Sequence, residues 1–211
     1  MKIKKFFATL AMDSGRAVEL VMNIGFRIRR LDVNGRPYKQ KLRGGTLIAA
    51  NHQGFIDPLV VSCTFWYRRV HFLTAEIVMK NKFVAPLLRG MGCIEIDRSI
   101  SDIEAIGKSV AVLKEGRCLV MFPQGGIEKD VKQVKAGAAL IALQAGVPIL
   151  PMYSAPRKHW WQRRVAVIGE TIRPKEHLSR MIPSVEDLER ISSLLLSEID
   201  KCKKTFEGVN K

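Results

Sequence analysis

The chain has 211 residues, 47% apolar and 26% charged, a composition ordinary for a folded enzyme-sized protein and enough for one sizeable core with at most a small appendage. Cys63, Cys93, Cys118 and Cys202 are widely spaced and form no C-x-x-C pair, which argues against a zinc site or a disulfide framework and for buried thiols in a reducing compartment. Thirty-five Lys and Arg against twenty Asp and Glu leave a net charge of +15, which favours a polyanionic partner such as nucleic acid, an anionic membrane surface or a phosphate-bearing substrate; a solvated basic surface accounts for charge alone equally well.

Lys2-Ile3-Lys4-Lys5 followed by Phe6 to Met12 imitates a signal peptide, but the apolar run is minimal, Asp13 ends it and no small-residue cleavage site follows, so no cleavage is expected. Across residues 3 to 30, Ile3, Phe6, Phe7, Leu10, Ala17, Val18, Val21, Ile24 and Ile28 recur at helical spacing, with Asp13, Arg16, Asn23, Arg27 and Arg30 on another face. A spanning helix needs about twenty apolar residues, and Asp13, Arg16 and Glu19 interrupt the run. The pattern predicts an amphipathic helix, or two broken near Gly15. From Met1 to Arg43 there are eleven Lys or Arg and three Asp or Glu, a local net charge of +8. Basic residues beside an apolar stripe suit a helix lying on anionic lipid, each cation near the surface contributing about 1 kcal/mol, and this reading is preferred over packing on the protein's own core. Residues 1–40 are therefore expected as N-terminal amphipathic, membrane-associating helices, and residues 41–211 as a second, larger domain.

Beyond Pro37 apolar runs alternate with helical spacing. Strands are predicted at Thr46 to Ala50, Val70 to Ala75, Cys93 to Asp97, Cys118 to Phe122, Val147 to Met152 and Val165 to Ile168, and helices near Leu59 to Trp66, Met79 to Arg89, Asp102 to Glu115 and Val134 to Ala145. Ser101 and Glu104 make a capping box, and Gly116 stands where a C-terminal glycine stop belongs. Residues 136–156 carry no charge, but Gly146, Pro148 and Pro151 divide them into a buried helix, a turn and a strand rather than a membrane span. Ser184 to Asp187 opens a last helix with Val185, Leu188, Ile191, Leu195 and Ile199 inward. The alternation predicts an α/β fold with a central, largely parallel or mixed sheet flanked by helices.

Four stretches have chemical potential. Asn51 to Pro58 follows the first predicted strand and sets His52 five residues before Asp57; a carboxylate there accepts the imidazole N–H, fixes its tautomer and leaves the other nitrogen free to take a proton. Taken alone, the pair equally fits a structural histidine and a helix-capping aspartate. No Gly-x-Ser-x-Gly is present and each Cys lies in an apolar context, so a proton taken by His52 would come from a bound substrate, with no covalent enzyme intermediate. Gly92 to Arg98 ends a strand with a cation suited to gripping phosphate, or with a plain Asp97–Arg98 surface pair. Phe122-Pro123-Gln124-Gly125-Gly126 leaves a strand into a glycine turn whose N–H groups suit an anion or oxyanion, although Pro-Gly turns are common. Val147 to Pro151 is apolar and reads most simply as core. Arg157 to Arg164, with Trp160 and Trp161, fits a lipid headgroup interface and ordinary cation–π packing in a loop about equally, and also suits a nucleic-acid contact. His71, His159 and His177 have no partners at ligand spacing and are assigned no chemistry.

In this order, the four stretches resemble the blocks of the glycerolipid acyltransferase family, of which lysophosphatidate acyltransferases are the best-known members: a His-x-x-x-x-Asp block at 51–57, a Gly-x-Ile-x-Ile-Asp-Arg-like block at 92–98, a Phe-Pro-Glu-Gly block at 122–125 and a Val-Pro-Ile-x-Pro block at 147–151. The resemblance covers roughly residues 45 to 155. It implies transfer of a fatty acyl group from acyl-CoA or acyl carrier protein to a lipid hydroxyl, with His52 as general base and Asp57 as its orienting partner. It further implies that Arg98 and the turn at Gln124, Gly125 and Gly126 bind the acceptor's phosphate, that Lys135 contacts phosphate or is a solvated helix lysine, and that Pro148 shapes an apolar channel or supports the site. Because the thioester is already activated, no metal or cofactor is expected. The implied partners are an anionic membrane surface and a lipid acceptor, with nucleic acid disfavoured, and the implied location is the cytoplasmic face of a membrane.

One departure stands out. Gln124 replaces the family's usual Glu, and Gly126 its usual Ser or Thr. Gln keeps the shape and the acceptor oxygen but loses the negative charge, so any interaction with acceptor hydroxyls or with Arg98 changes. A lysophospholipid, a glycolipid or a lipid amine therefore competes with lysophosphatidate as acceptor. From a different class, the charge alone would also suit a non-catalytic basic protein binding membrane or nucleic acid; the His52 and Asp57 spacing beside Arg98 weighs against it.

Overall fold

Apolar runs that are buried on both faces form the middle of the sheet. The computed structural model describes residues 24–25, 27–54, 56–75, 93–96, 103–123, 133–155, 159, 162–180 and 182–209. Its strands are β1 (Arg29–Asp32), β2 (Thr46–Ala50), β3 (Val70–Ala75), β4 (Ile94–Ile96), β5 (Cys118–Met121), β6 (Ile149–Ser154) and β7 (Val165–Ile168). They form one sheet in the order β1-β7-β6-β2-β5-β3-β4. All neighbours run parallel except β6 and β7, which pair antiparallel. Every residue of β2, β5, β6 and β7 is buried, which explains why these strands read as continuous apolar runs rather than as alternating ones.

The helices are α1 (Asp57–Thr64), α2 (Ile103–Lys114), α3 (Gln133–Ala145) and α4 (Val185–Val209), with a 3-10 turn at Pro174–His177. Leu47 and Ala49 of β2 join a cluster with Leu113 of α2, Ala138 and Ala142 of α3, and Ile191 and Leu195 of α4. Ile48 and Ala50 face the other way, into a cluster with Val61 of α1 and Phe65. The chain's direction of travel accounts for this division. From β2 to β3 it moves one way along the sheet through α1; from β4 to β5 and from β5 to β6 it returns through α2 and α3. Right-handed crossovers travelling in opposite directions place their helices on opposite faces. The adjacent strands β2 and β5 therefore send their connections to opposite sides, the arrangement in which α/β sheets form a crevice beyond the C-terminal strand ends.

Local signals fix the helix ends. Gly116 (φ +78°) and Gly146 (φ +70°) stop α2 and α3 in the left-handed conformation, their N–H groups donating to Leu113 O at 3.0 Å and Leu143 O at 3.1 Å. At the start of α4, Asp187 N–H donates to Ser184 Oγ at 3.2 Å while Ser184 N–H donates to Asp187 Oδ2 at 3.1 Å, a reciprocal cap. The uncharged stretch at 136–156 resolves into α3, a turn and β6, and no helix among the described residues is long and apolar enough to cross a membrane.

One expectation is corrected. Helical spacing predicted a helix as far as residue 30, whereas Arg29–Asp32 is the edge strand β1, paired from Arg29↔Val165 to Asp32↔Ile168. Leu31 is fully buried in the core, and the following turn folds back along the outer edge, with Leu31 bridging Pro37 and Tyr38 N–H donating to Arg30 O at 3.0 Å. Asp32 closes that turn by accepting the N–H groups of Asn34 and Arg36, each at 2.9 Å. Residues 29–38 thus belong with the sheet. The earlier part of the expected N-terminal helices, residues 1–23, lies outside the described residues, as do the expected helix at Met79 to Arg89 and the cap residue Ser101.

Candidate active site

The crevice is built from the turn between β2 and α1. After Ala50 the main chain leaves the sheet and re-enters regular structure at Asp57, where Pro58 in the first helical turn needs no N–H partner. Asp57 Oδ2 gathers the turn. It accepts the Gly54 N–H at 2.8 Å and the Gln53 N–H, and it lies 3.1 Å from His52 Nδ1. An Nδ1–H donated to the ionised carboxylate leaves Nε2 as the acceptor nitrogen. The His52 side chain is 24% exposed and that of Asp57 11%, so the imidazole can be reached while the carboxylate is shielded. The imidazole also stacks on Phe122, which follows β5, with ring centroids 4.5 Å apart and 25° between planes. The dyad therefore stands where β2 and β5 diverge.

Two further ties reach β6. The Asn51 side chain donates from Nδ2 to Ser154 O at 2.8 Å and accepts Ser154 N–H at Oδ1, also at 2.8 Å. Gln53 Nε2 donates to the Tyr153 hydroxyl at 3.2 Å. Asn51, Phe122, Tyr153 and Ser154 were given no role in the sequence reading. Asn51 and Phe122 lie inside the quoted blocks, whereas Tyr153 and Ser154 lie just past the fourth, and only the pairing of β2 with β6 brings them to the turn.

The other predicted site residues fall differently. Pro148 precedes β6, and the parallel register pairs Leu47 with Ile149 and Ala50 with Met152, so Pro148 lies at the opposite end of these strands from His52. Its carbonyl accepts the Leu47 N–H at 3.0 Å, a contact in the β2–β6 ladder. It is the far end of the same strand, at Tyr153 and Ser154, that meets the site. Lys135 lies in the first turn of α3. Arg98, Gln124, Gly125 and Gly126 lie outside the described residues. Among the described residues no three His, Cys, Asp or Glu side chains gather as they would around a metal.

A partly exposed imidazole held in one tautomer by a shielded carboxylate is equipped to take a proton from a hydroxyl and return it to a leaving group. A family model described as Acyltransferase matches residues 30–155, from within β1 to the end of β6. The chain is 23% identical over 168 residues to the 1-acyl-sn-glycerol-3-phosphate acyltransferase of Bacillus subtilis, covering 77% of this chain and 83% of that protein. It is 32% identical over 112 residues to the enzyme of the same name from Streptococcus pneumoniae, covering 52% of this chain and 42% of that protein. In fold it is similar to the crystal structure of the 1-acyl-sn-glycerophosphate (LPA) acyltransferase PlsC from Thermotoga maritima, with a TM-score of 0.58 and 18% identity over 96% of this chain and 84% of that one.

Proposed function

The chain belongs to the acyltransferase family, and from that premise we propose that it moves a fatty acyl group from acyl-CoA or acyl-ACP to the hydroxyl of a lysophosphatidate-like lipid. The observation that carries this reading is the His52–Asp57 contact at the mouth of the crevice. His52 Nε2 removes the acceptor's hydroxyl proton as the oxygen attacks the thioester carbonyl. The tetrahedral oxyanion collapses, the carbon–sulfur bond breaks, and the imidazolium returns its proton to the departing thiolate. Asp57 stabilises the imidazolium between the two transfers. Arg98, the turn at Gln124 to Gly126 and Lys135 bind the acceptor's phosphate, and no metal is required. The names of the relatives in Bacillus subtilis and Streptococcus pneumoniae support this acceptor. The protein works at the cytoplasmic face of an anionic membrane, which its N-terminal segment engages.

His52→Ala in a protein of unchanged thermal stability is expected to lower turnover on the order of 10²-fold to 10⁴-fold, the usual contribution of a positioned general base. Acyl transfer near the parent rate overturns the mechanism. Gln124 and Gly126 favour a second reading of the acceptor, in which a lysophospholipid, a glycolipid or a lipid amine replaces lysophosphatidate. Assaying the purified protein with radiolabelled acyl-CoA and acyl-ACP against a panel of these acceptors separates the readings; selective use of lysophosphatidate removes the second.

A further inference from the structure

We infer that Asn51 and Gln53 are positioning residues for His52, and that the C-terminal end of β6 is the mount on which the imidazole is held. The inference deepens the reading of His52 as general base. The last ladder pair between β2 and β6 is Ala50 with Met152, and the next main-chain contact, Asn51 N–H to Met152 O, is already stretched to 3.4 Å. From there the backbone must turn toward Asp57. The Asn51 carboxamide then does what a peptide group of a longer β2 would have done, presenting one donor and one acceptor to the two main-chain groups of Ser154. The ladder gains one more rung through a side chain, and the main chain is free to carry His52 away from the sheet.

The tie continues across the sheet and on both sides of the histidine. Ser154 Oγ donates to Val165 O of β7 at 3.0 Å, and Asn51 is itself buried. On the other side of His52, Gln53 gives its N–H to Asp57 and its Nε2 to the hydroxyl of Tyr153, a buried residue whose ring meets Phe206 of α4 edge-on at 5.4 Å. Consecutive residues of β6 therefore hold the two residues flanking His52. Asp57 sets the tautomer, but a single contact to one ring nitrogen leaves the Cα of His52 free to shift. A displacement of about 1 Å at a reacting group is enough to cost on the order of 10²-fold in rate.

The test uses Gln53→Leu, Tyr153→Phe and the double variant, together with Asn51→Asp. The Gln53 and Tyr153 changes each remove one end of a single hydrogen bond, so kcat is expected to fall about tenfold in either, with KM for donor and acceptor within about twofold, and the double variant to be no slower than the slower single one. Asn51→Asp keeps the acceptor for Ser154 N–H and loses the donor; kcat is expected to fall about 10²-fold. Ring nitrogen NMR of His52 needs no turnover: the parent is expected to hold one Nδ1–H tautomer and Gln53→Leu a mixture. Unchanged kcat and tautomer in Gln53→Leu, additive losses in the double variant, or losses confined to KM overturn the inference. Activity surviving in His52→Ala overturns the general-base reading instead, while the tautomer measurement still tests the mount.

Discussion

At the scale of single residues, Asp57 carries the most constraint, because one of its oxygens serves the Gln53 and Gly54 N–H groups and the His52 ring at once. Asp57→Asn keeps an oxygen of the same shape in the same place and removes the charge. Charge-assisted hydrogen bonds are roughly twice as strong as neutral ones, so about 1 kcal/mol of stability is expected to be lost, measurable by urea unfolding. Turnover should suffer more, on the order of 10²-fold or greater, because in the proposed mechanism the charge is needed most when His52 becomes an imidazolium. Equal losses in the two measurements would make Asp57 a turn residue only. This pair was legible in the sequence because its members stand only five positions apart in one turn. Ser154 lies 103 positions from Asn51, and nothing in either stretch announces that an amide side chain will complete a ladder between them.

At the scale of elements, legibility followed burial. Strands β2, β3 and β7 were predicted at their observed positions, and β5 with one residue too many at its end, because each is a largely apolar run. Strand β1, Arg-Arg-Leu-Asp at the sheet's edge, buries only Leu31 among its four residues and so left no strand-like pattern to find. Close packing between elements yields a sharper prediction at Gly45, immediately before β2. A Cβ there would lie 2.1 Å from Leu113 O and 3.0 Å from its carbonyl carbon, both main-chain atoms of α2. Gly45→Ala is therefore expected to destabilise by about 3 kcal/mol, the upper end for overpacking, with a matching drop in the urea midpoint. A loss under about 0.5 kcal/mol, typical of an open surface site, would show that β2 and α2 can part freely.

The anchoring of α4 has a pH signature of its own. Asp187, fully buried, accepts hydrogen bonds from the Ser179 hydroxyl and from the Ser184 and Ser179 N–H groups, and these hold its carboxyl down at about 2 against an ordinary 3.8. A depressed acid contributes its full stability above the unfolded value and loses it as pH falls through the folded one. Between about pH 4 and pH 2 the parent should accordingly lose more stability than Asp187→Asn, measured as urea midpoints across that window. Parallel curves would mean that the bonds to Asp187 do not favour its charged form. Farther along α4, burial pushes the Cys202 thiol up to about 12, reinforced by the negative charge of Glu198, so alkylation at pH 8 should leave Cys202 unmodified until the protein unfolds.

For the whole molecule, the sheet order was the part the sequence could not display. Several strands adjacent in the chain are separated in the sheet, with β5 inserted between β2 and β3 and with β1 joined to the late strand β7. Local spacing can place a strand but not its neighbours; the pairing of β2 with β5 joins segments far apart in the chain, and it is also what brings Phe122 to His52. Charge, by contrast, is a property of the whole chain visible in its letters. The net charge is +15, and Met1 to Arg43 contribute +8 of it beside an apolar stripe. If this segment engages membrane as proposed, the two components should separate by salt. Attraction between exposed charges decays over about 10 Å at 0.1 M salt and about 3 Å at 1 M, whereas apolar burial is not screened. Co-sedimentation with vesicles containing about one-third phosphatidylglycerol should therefore be strong at about 0.05 M NaCl and weaken steeply by about 0.5 M, leaving a salt-resistant remainder from the apolar stripe, while pure phosphatidylcholine vesicles should capture only that remainder. Equal binding to the two vesicle types at low salt would separate the charge from membrane attachment and return it to the phosphate of the substrates.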